Sequence, residues 1–230
     1  MIWQIASPPR FHSLASRLWP WLSGVGAVLL GLGLYLGLVL APTDVTQGEV
    51  YRAIYVHVPA AWMSMFLYLV ACAYAAINWV YRNDVSAVMM RALLPTGAWM
   101  TFVALVTGAL WGKPTWGTYW VWDARMTSEL LLLFIYLGLM ALGQMASNPA
   151  KADRVLAIGL LIGAVNIPLI YLSVVFWNTL HQGYSVSLGG SQIHPDIARG
   201  MWLCVLGFWL LCAGTVLNRG RRLLVLRRWN

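Results

Sequence analysis

Two histidines, His57 and His181, are the side chains in this sequence best suited to bind a metal. Each stands at the end of a different long apolar segment, where a single histidine is usually an interfacial polar residue. Neutral imidazole is also the commonest metal ligand in proteins and a usual axial ligand of haem iron. No Cys, Asp or Glu stands at a zinc-ligand spacing from either histidine, which disfavours a structural zinc site. His194 is a reserve candidate.

A tryptophan-rich stretch at 111–127 lies between the two histidines, and four of the fourteen tryptophans fall within twelve residues of it. Such rings are typical of an aromatic belt at a membrane surface, or they form a flat platform for a large planar ligand. The residue types leave both interpretations open. If the stretch is helical, Trp116 and Trp120 share one flank. Arg125 is expected to pair with Asp123 or to bind a ligand carboxylate.

The composition indicates what kind of molecule must position these side chains. Of the 230 residues, 60% are hydrophobic and only 10% are charged, and the mean hydropathy is +0.71. A typical soluble domain has about 25% charged residues. The composition therefore excludes a cytosolic globular enzyme, a disordered chain and a disulfide-stapled module, and it predicts an integral membrane protein. The three cysteines form no CxxC pair, so the chain has no c-type haem attachment motif.

Six apolar runs are long enough to cross a bilayer, at 19–40, 58–80, 92–110, 130–146, 155–177 and 200–217. We therefore predict an all-α fold, a polytopic six-transmembrane-helix bundle that forms a single integral membrane domain over residues 1–230. None of the six runs contains an Asp, Glu, Lys, Arg or His. Proton relays and ion pathways need such groups within the bilayer, so a pump or secondary transporter is disfavoured.

The distribution of Lys and Arg predicts the orientation of the bundle. Eleven of them fall in the two termini and the second and fourth loops, whereas four fall in the other three loops. Both termini are therefore expected in the cytoplasm, with both histidines and the tryptophan-rich loop on the opposite side. The net charge of +8 is then a topology signal in a membrane protein, and no nucleic-acid partner is expected.

The stretch WGTYWVWDAR, with one outer histidine before it and one after it, resembles the signature of the tryptophan-rich (WWD) haem-handling family of cytochrome c biogenesis. The short length and six spans resemble CcmC, the smallest branch of that family. The resemblance implies that His57 and His181 are axial ligands of a transient, non-covalently bound haem b. It also implies that Arg52 holds a haem propionate. The platform and the surface facing the acceptor would be formed by Trp116, Gly117, Trp120, Trp122, Asp123 and Arg125, with Trp111 at the start of the loop.

The same resemblance implies that haem is held at the periplasmic face of the bacterial inner membrane and delivered to the haem chaperone CcmE. It further implies that the protein works with the small membrane protein CcmD and with CcmA and CcmB, an ABC transporter pair. Haem transfer, rather than independent catalysis, is the expected activity.

Two other functions are compatible with a six-span protein. One is the permease subunit of an ABC exporter for haem or another small molecule, which needs a polar or roomy path through the bundle. Asn78, Gln144 and Asn166 are the few polar residues within the predicted spans that could form such a path. The other is a b-type electron carrier, which normally has paired histidines within its spans, and none lie there.

Overall fold

The computed structural model describes residues 7–145, 148–181, 186–187, 190–191 and 193–229. Within these residues, six helices are long and apolar enough to span a membrane, so the predicted six-span helical fold is confirmed. Each contains nearly all of one predicted run, and most extend beyond it by several residues. The protein is therefore a multi-pass membrane protein.

Seven α-helices form the bundle in the described part of the chain. The first continues into one π-helical turn at Leu36–Leu40. A 3-10 helix at Glu49–Ala53 precedes the second. Between the sixth and seventh helices, β1 (Val186–Ser187) pairs with β2 (Gly190–Ser191). The helices are α1 Pro8–Tyr35, α2 Ile54–Tyr81, α3 Asp84–Trp116, α4 Ala124–Met145, α5 Pro149–Gly163, α6 Asn166–Phe176 and α7 Pro195–Trp229.

Local sequence explains where several helices begin and end. The side chain of Asn83 caps α3 by accepting a hydrogen bond from the backbone N–H of Ser86 at 2.8 Å. Asn148 caps α5 in the same way, and Pro149 follows at the first helical position. Gly117 ends α3 with φ +80°, a conformation that costs a glycine little. α5 and α6 together make one span, interrupted by a turn at residues 164–165.

The centre of the bundle lies among α2, α3, α4 and α5. Tyr68 and Tyr136 are fully buried there and pack edge to face, with ring centroids 5.2 Å apart. α1 lies at the periphery and packs mainly against α7. The two backbones approach closely because the contact is made by glycines: a Cβ on Gly207 would lie 2.7 Å from the backbone nitrogen of Leu30.

One end of the bundle, where α7 ends in its arginines, is called the basic end, and the opposite end, which carries residues 117–123, is called the loop end. At the basic end Arg227 contacts Asp84 at 2.9 Å and Asp153 at 2.7 Å. Arg91 binds the same Asp153 at 2.9 Å. These ion pairs connect α3, α5 and α7.

Two features of the bundle differ from the sequence-based picture. The expected loop at 111–127 is mostly helical, since α3 continues to Trp116 and α4 begins at Ala124. The histidine expected just before the second span, His57, lies instead in the first turn of α2. In both cases the helix runs past the apolar stretch, because packing at the ends of the bundle stabilises turns that hydropathy alone does not reveal.

Candidate functional site

The loop end contains a cavity of about 560 Å³ bounded by α2, α3, α4, α6 and α7. This volume falls within the range of about 300–1,000 Å³ that is typical of small-molecule sites. Both predicted histidines line it, as do six residues of the tryptophan-rich stretch, namely Trp111, Thr115, Trp116, Asp123, Arg125 and Met126. The rest of the wall is largely apolar.

The His57 imidazole is fixed by two oxygens of α3. Its Nδ1 lies 3.0 Å from the backbone oxygen of Ala104 and 3.2 Å from the hydroxyl of Thr107. A carbonyl oxygen can only accept, so Nδ1 carries the hydrogen and donates it. The lone pair is then on Nε2, which is the arrangement that a metal-binding histidine normally has.

The space beside the His57 ring depends on a glycine of α3. A Cβ on Gly108 would lie 2.9 Å from the imidazole Cε1, closer than real Cβ contacts. Any larger residue at this position must displace the ring or the helix. The ring therefore occupies a slot formed by the backbone of α3.

His181 follows α6 and brings a second imidazole to the same cavity. Its ring centroid lies 6.3 Å from that of His57, with 36° between the planes, and 6.3 Å from the Trp116 ring. The segment is connected to α4 by Asp123, whose Oδ2 accepts a hydrogen bond from the backbone N–H of Leu180 at 3.3 Å. The other oxygen of Asp123 caps α4 by accepting from Met126 N–H at 2.8 Å.

Two tryptophans of α3 form part of the cavity wall. Trp111 packs edge-on against His57, with centroids 5.7 Å apart. Its indole N–H donates to the side-chain oxygen of Gln47 at 2.8 Å. Gln47, which also lines the cavity, was missed by sequence reasoning because a lone Gln in a polar loop carries no signal.

Two further tryptophans lie outside the cavity wall. Trp120 and Trp122 pack edge to face at 5.3 Å, and Trp122 is 77% exposed. Residues 117–123 are not helical, so Trp116 and Trp120 do not share a helix flank as they would in a continuous helix. The four tryptophans of the stretch thus divide into a pair that lines the cavity and a pair outside it, of which Trp122 is exposed and Trp120 is half-buried.

Two charged side chains of α4, one turn apart, line the cavity. Arg125 donates to the backbone oxygen of Ile170 at 2.9 Å. Glu129 is only 7% exposed and accepts a hydrogen bond from the Ser64 hydroxyl at 2.7 Å. Sequence reasoning missed Glu129 because it stands one residue before the predicted fourth span, yet its i, i+4 relation to Arg125 could have indicated it.

Arg52 and His194 lie apart from the cavity wall. The guanidinium of Arg52 contacts Glu49 at 2.5 Å and donates to the backbone oxygens of Gly37 and Ala41. It therefore ties the end of α1 to the 3-10 helix. His194 is exposed, and its Nδ1 lies 3.8 Å from Asp196.

Comparisons with known proteins give a consistent result. The family CcmC, described as "Heme exporter protein C", matches residues 1–230. The Heme exporter protein C of Escherichia coli (strain K12) is 45% identical over 223 residues, which cover 97% of this chain and 90% of that protein. The one from Bradyrhizobium diazoefficiens is 44% identical over 208 residues, covering 90% and 79%. A ccmC-like mitochondrial protein of Marchantia polymorpha, whose name links it to cytochrome c biosynthesis, is 42% identical over 183 residues, covering 80% and 78%.

Proposed function

Because the chain belongs to the CcmC family of heme exporter proteins, we propose that it binds haem b in the loop-end cavity and delivers it to the haem chaperone CcmE during cytochrome c maturation. The names of its relatives refer to haem export and, in one case, to cytochrome c biosynthesis. The cavity supports the proposal because it combines a metal-ligand pair with a large, mostly apolar wall.

The observation that carries the proposal is the spacing of the two imidazoles. An imidazole nitrogen binds a first-row metal at about 2 Å, and the ring centre lies about 1 Å farther away. Two rings on opposite sides of one iron therefore have centres about 6 Å apart. The centroids of His57 and His181 are 6.3 Å apart. We assign these two side chains as the axial ligands.

The other members of the site would bind the porphyrin and face the acceptor. The guanidinium of Arg125 is the cationic group on the cavity wall among the described residues, and a propionate is the natural partner of such a planar fork. Trp111 and Trp116 supply apolar ring surface next to the iron ligands. Trp120 and Trp122 lie where an approaching chaperone would meet them, with Asp123 and Gly117 fixing the ends of the segment that carries them.

The Arg52 assignment is less well supported by the contacts. Its guanidinium is already bound by a carboxylate and two backbone oxygens, and it is not part of the cavity wall. A propionate there would compete with Glu49 for the guanidinium. We therefore propose Arg125 as the first propionate partner.

The positive-inside distribution supports a bacterial inner-membrane protein whose loop end faces the periplasm. This orientation places the cavity on the side from which a soluble or anchored chaperone domain can approach. The family resemblance further suggests CcmD and the ABC transporter pair CcmA and CcmB as partners at the membrane.

The test is the optical spectrum of the purified protein after loading with haem. Wild type should give the low-spin spectrum of an iron with two imidazole ligands. His57→Ala and His181→Ala should each lose that spectrum, because each removes one axial ligand. Each variant should retain at least about 10-fold less haem than wild type. Transfer of haem to CcmE, measured with purified chaperone, should fall in parallel.

His194→Ala is the matched control, because it removes an outer imidazole that lies apart from the cavity. It should leave the spectrum and the haem content unchanged. Normal spectra in both cavity variants would refute the ligand assignment, and a wild-type protein that binds no haem at all would refute the proposed function.

The alternative, a permease with a path through the bundle, is less well supported by its polar residues. Asn78 donates to Asn83 and Ser86 in a local cluster at the basic end. Gln144 is exposed on the outside of α4. Asn166 is buried, donating to the backbone oxygen of Ser128. These three residues do not line a common passage.

A further inference from the structure

A second cavity, of about 210 Å³, lies between α3 and α7 toward the basic end of the bundle. We call it the lateral groove. Its apolar wall is formed by Trp99, Met100, Phe208 and Leu211. Trp99 is 59% exposed and stacks on Phe102, which is 45% exposed. This side of α3 therefore faces the surroundings of the bundle. In a membrane those surroundings are lipid.

One end of the lateral groove is formed by a cation, Arg219 of α7. Its Nη1 donates to the backbone oxygen of Ala92 at 3.0 Å and to the Thr96 hydroxyl at 2.8 Å. Both partners are uncharged. In the part of the chain that the structure describes, no carboxylate lies within ion-pair distance of this half-buried guanidinium.

Two other half-buried arginines near the basic end, Arg91 and Arg227, are neutralised by carboxylates. Arg91 and Arg227 both bind Asp153, and Arg227 also binds Asp84. A guanidinium that is partly removed from water without an anion is costly, and such groups are normally paired. Arg91 and Arg227 each have a carboxylate partner, whereas Arg219, which lines the groove, has none among the described residues.

The depth of Arg219 indicates where that anion comes from. Arg227 is level with Asp84, the first residue of α3, and Arg219 lies two turns farther into the bundle, about 12 Å away. The 33 residues of α3 extend about 50 Å, which exceeds a hydrocarbon core of about 30 Å by about 10 Å at each end. Arg219 thus lies close to the boundary at which lipid headgroups begin, while the groove continues into the hydrocarbon.

We propose that the lateral groove binds one anionic phospholipid. Its phosphate binds the guanidinium of Arg219, and an acyl chain lies along Trp99, Phe208 and Leu211. Basic pockets between membrane helices bind headgroups in this way, and the planar fork of arginine suits a phosphate. The site is separate from the loop-end cavity, so the proposal does not depend on haem binding.

The experiment uses the full chain purified in detergent micelles, with phosphatidylglycerol, phosphatidylethanolamine or inorganic phosphate added to separate samples. Native mass spectrometry measures the retained lipid, and thermal unfolding measures the effect of that lipid on Tm. Wild type should retain one phosphatidylglycerol in preference to phosphatidylethanolamine, and its Tm should rise with phosphatidylglycerol. Arg219→Gln should retain about fivefold less, as expected for the loss of one arginine contact to a headgroup.

Arg222→Gln is the matched control, since it removes the same charge from an exposed position outside the groove. It should retain lipid like wild type. Leu211→Trp keeps Arg219 and fills the groove, so it should also lose the lipid, and it carries the test if Arg219→Gln does not fold.

Three results would overturn the proposal. The first is equal phosphatidylglycerol retention by wild type and Arg219→Gln, or by wild type and Leu211→Trp. The second is retention of phosphatidylethanolamine as strongly as phosphatidylglycerol. The third is an equal rise in Tm with inorganic phosphate alone, which would make the site one for a free anion.

Discussion

At the scale of single residues, the orientation of His57 is set by groups of α3. The backbone oxygen of Ala104 and the hydroxyl of Thr107 hold Nδ1, and the absent side chain of Gly108 leaves room for the ring. Outer contacts of this kind typically change metal affinity by about 10–100-fold. The backbone of α3 is therefore as much a part of the site as the imidazole.

Gly108→Ala tests this role of α3. The new Cβ would lie 2.9 Å from His57 Cε1, so the imidazole must turn away from its position opposite His181. We expect haem retention to fall by about 10-fold while the helix itself is preserved, since alanine is the best helix former. The measurement is haem content per protein together with the spectrum.

Gly138→Ala provides the comparison, because nothing lies within 4 Å of a Cβ at that position of α4. It should bind haem like wild type. If Gly108→Ala also bound haem like wild type, the close packing of His57 on α3 would not contribute to haem binding.

At the scale of the elements, Asp123 connects two parts of the chain that the site needs together. One carboxylate oxygen caps α4, and the other accepts from the backbone N–H of Leu180, the residue before His181. The family resemblance implied a role on the haem platform or at the acceptor surface. The contacts add a positioning role, in which the start of α4 holds the segment that presents the second histidine.

Asp123→Asn separates the two contacts. Asparagine is as good a helix cap as aspartate, so α4 should keep its first turn. Asparagine has only one oxygen, so when that oxygen caps α4 the amide –NH₂ cannot accept from Leu180 N–H, and the connection to the His181 segment is lost. We expect a spectrum in which the His181 ligand is weakened and the His57 ligand is retained, and about 10-fold lower haem content.

Asp123→Ala removes both contacts and should in addition lower the free energy of unfolding by about 1 kcal/mol. Thermal unfolding of the haem-free protein measures this part alone. An Asp123→Asn protein with an unchanged spectrum would exclude the positioning role.

Hydropathy alone predicted the six spans, because runs such as 58–80 are long and contain no Asp, Glu, Lys, Arg or His. It could not predict where the helices end. α3 continues from the end of its apolar run to Trp116, so Trp111 and Trp116 lie on the helix and line the cavity instead of lying in a loop. Hydropathy did not predict Glu129 as a site residue for the same reason, because its contact with Ser64 buries it.

At the scale of the whole molecule, the two ends of the bundle differ: ion pairs connect the helices at the basic end, whereas the loop end contains the cavity. Asp153 is buried and is shared by Arg91 and Arg227, so it connects three helices. Removing one member of a buried ion-pair group leaves the others unpaired and typically costs about 3 kcal/mol or more.

Asp153→Asn should therefore lower the Tm of the purified protein markedly, while the spectrum of bound haem stays as in wild type. Asp196→Asn removes a carboxylate from a mostly exposed pair with Arg199 and should cost less than about 1 kcal/mol. Equal Tm values for these two variants would show that the basic-end ion pairs do not stabilise the bundle.

The pairing of α1 with α7 across a glycine seam has a consequence for how the protein is made. Of the six described spans, α1 is synthesised first, and its main packing partner, α7, is synthesised last. Because its partner is not yet synthesised, α1 must remain in the bilayer without its native contacts throughout translation. The glycine seam between α1 and α7 therefore forms only after the spans between them have been inserted, which makes it a late, non-local contact of assembly.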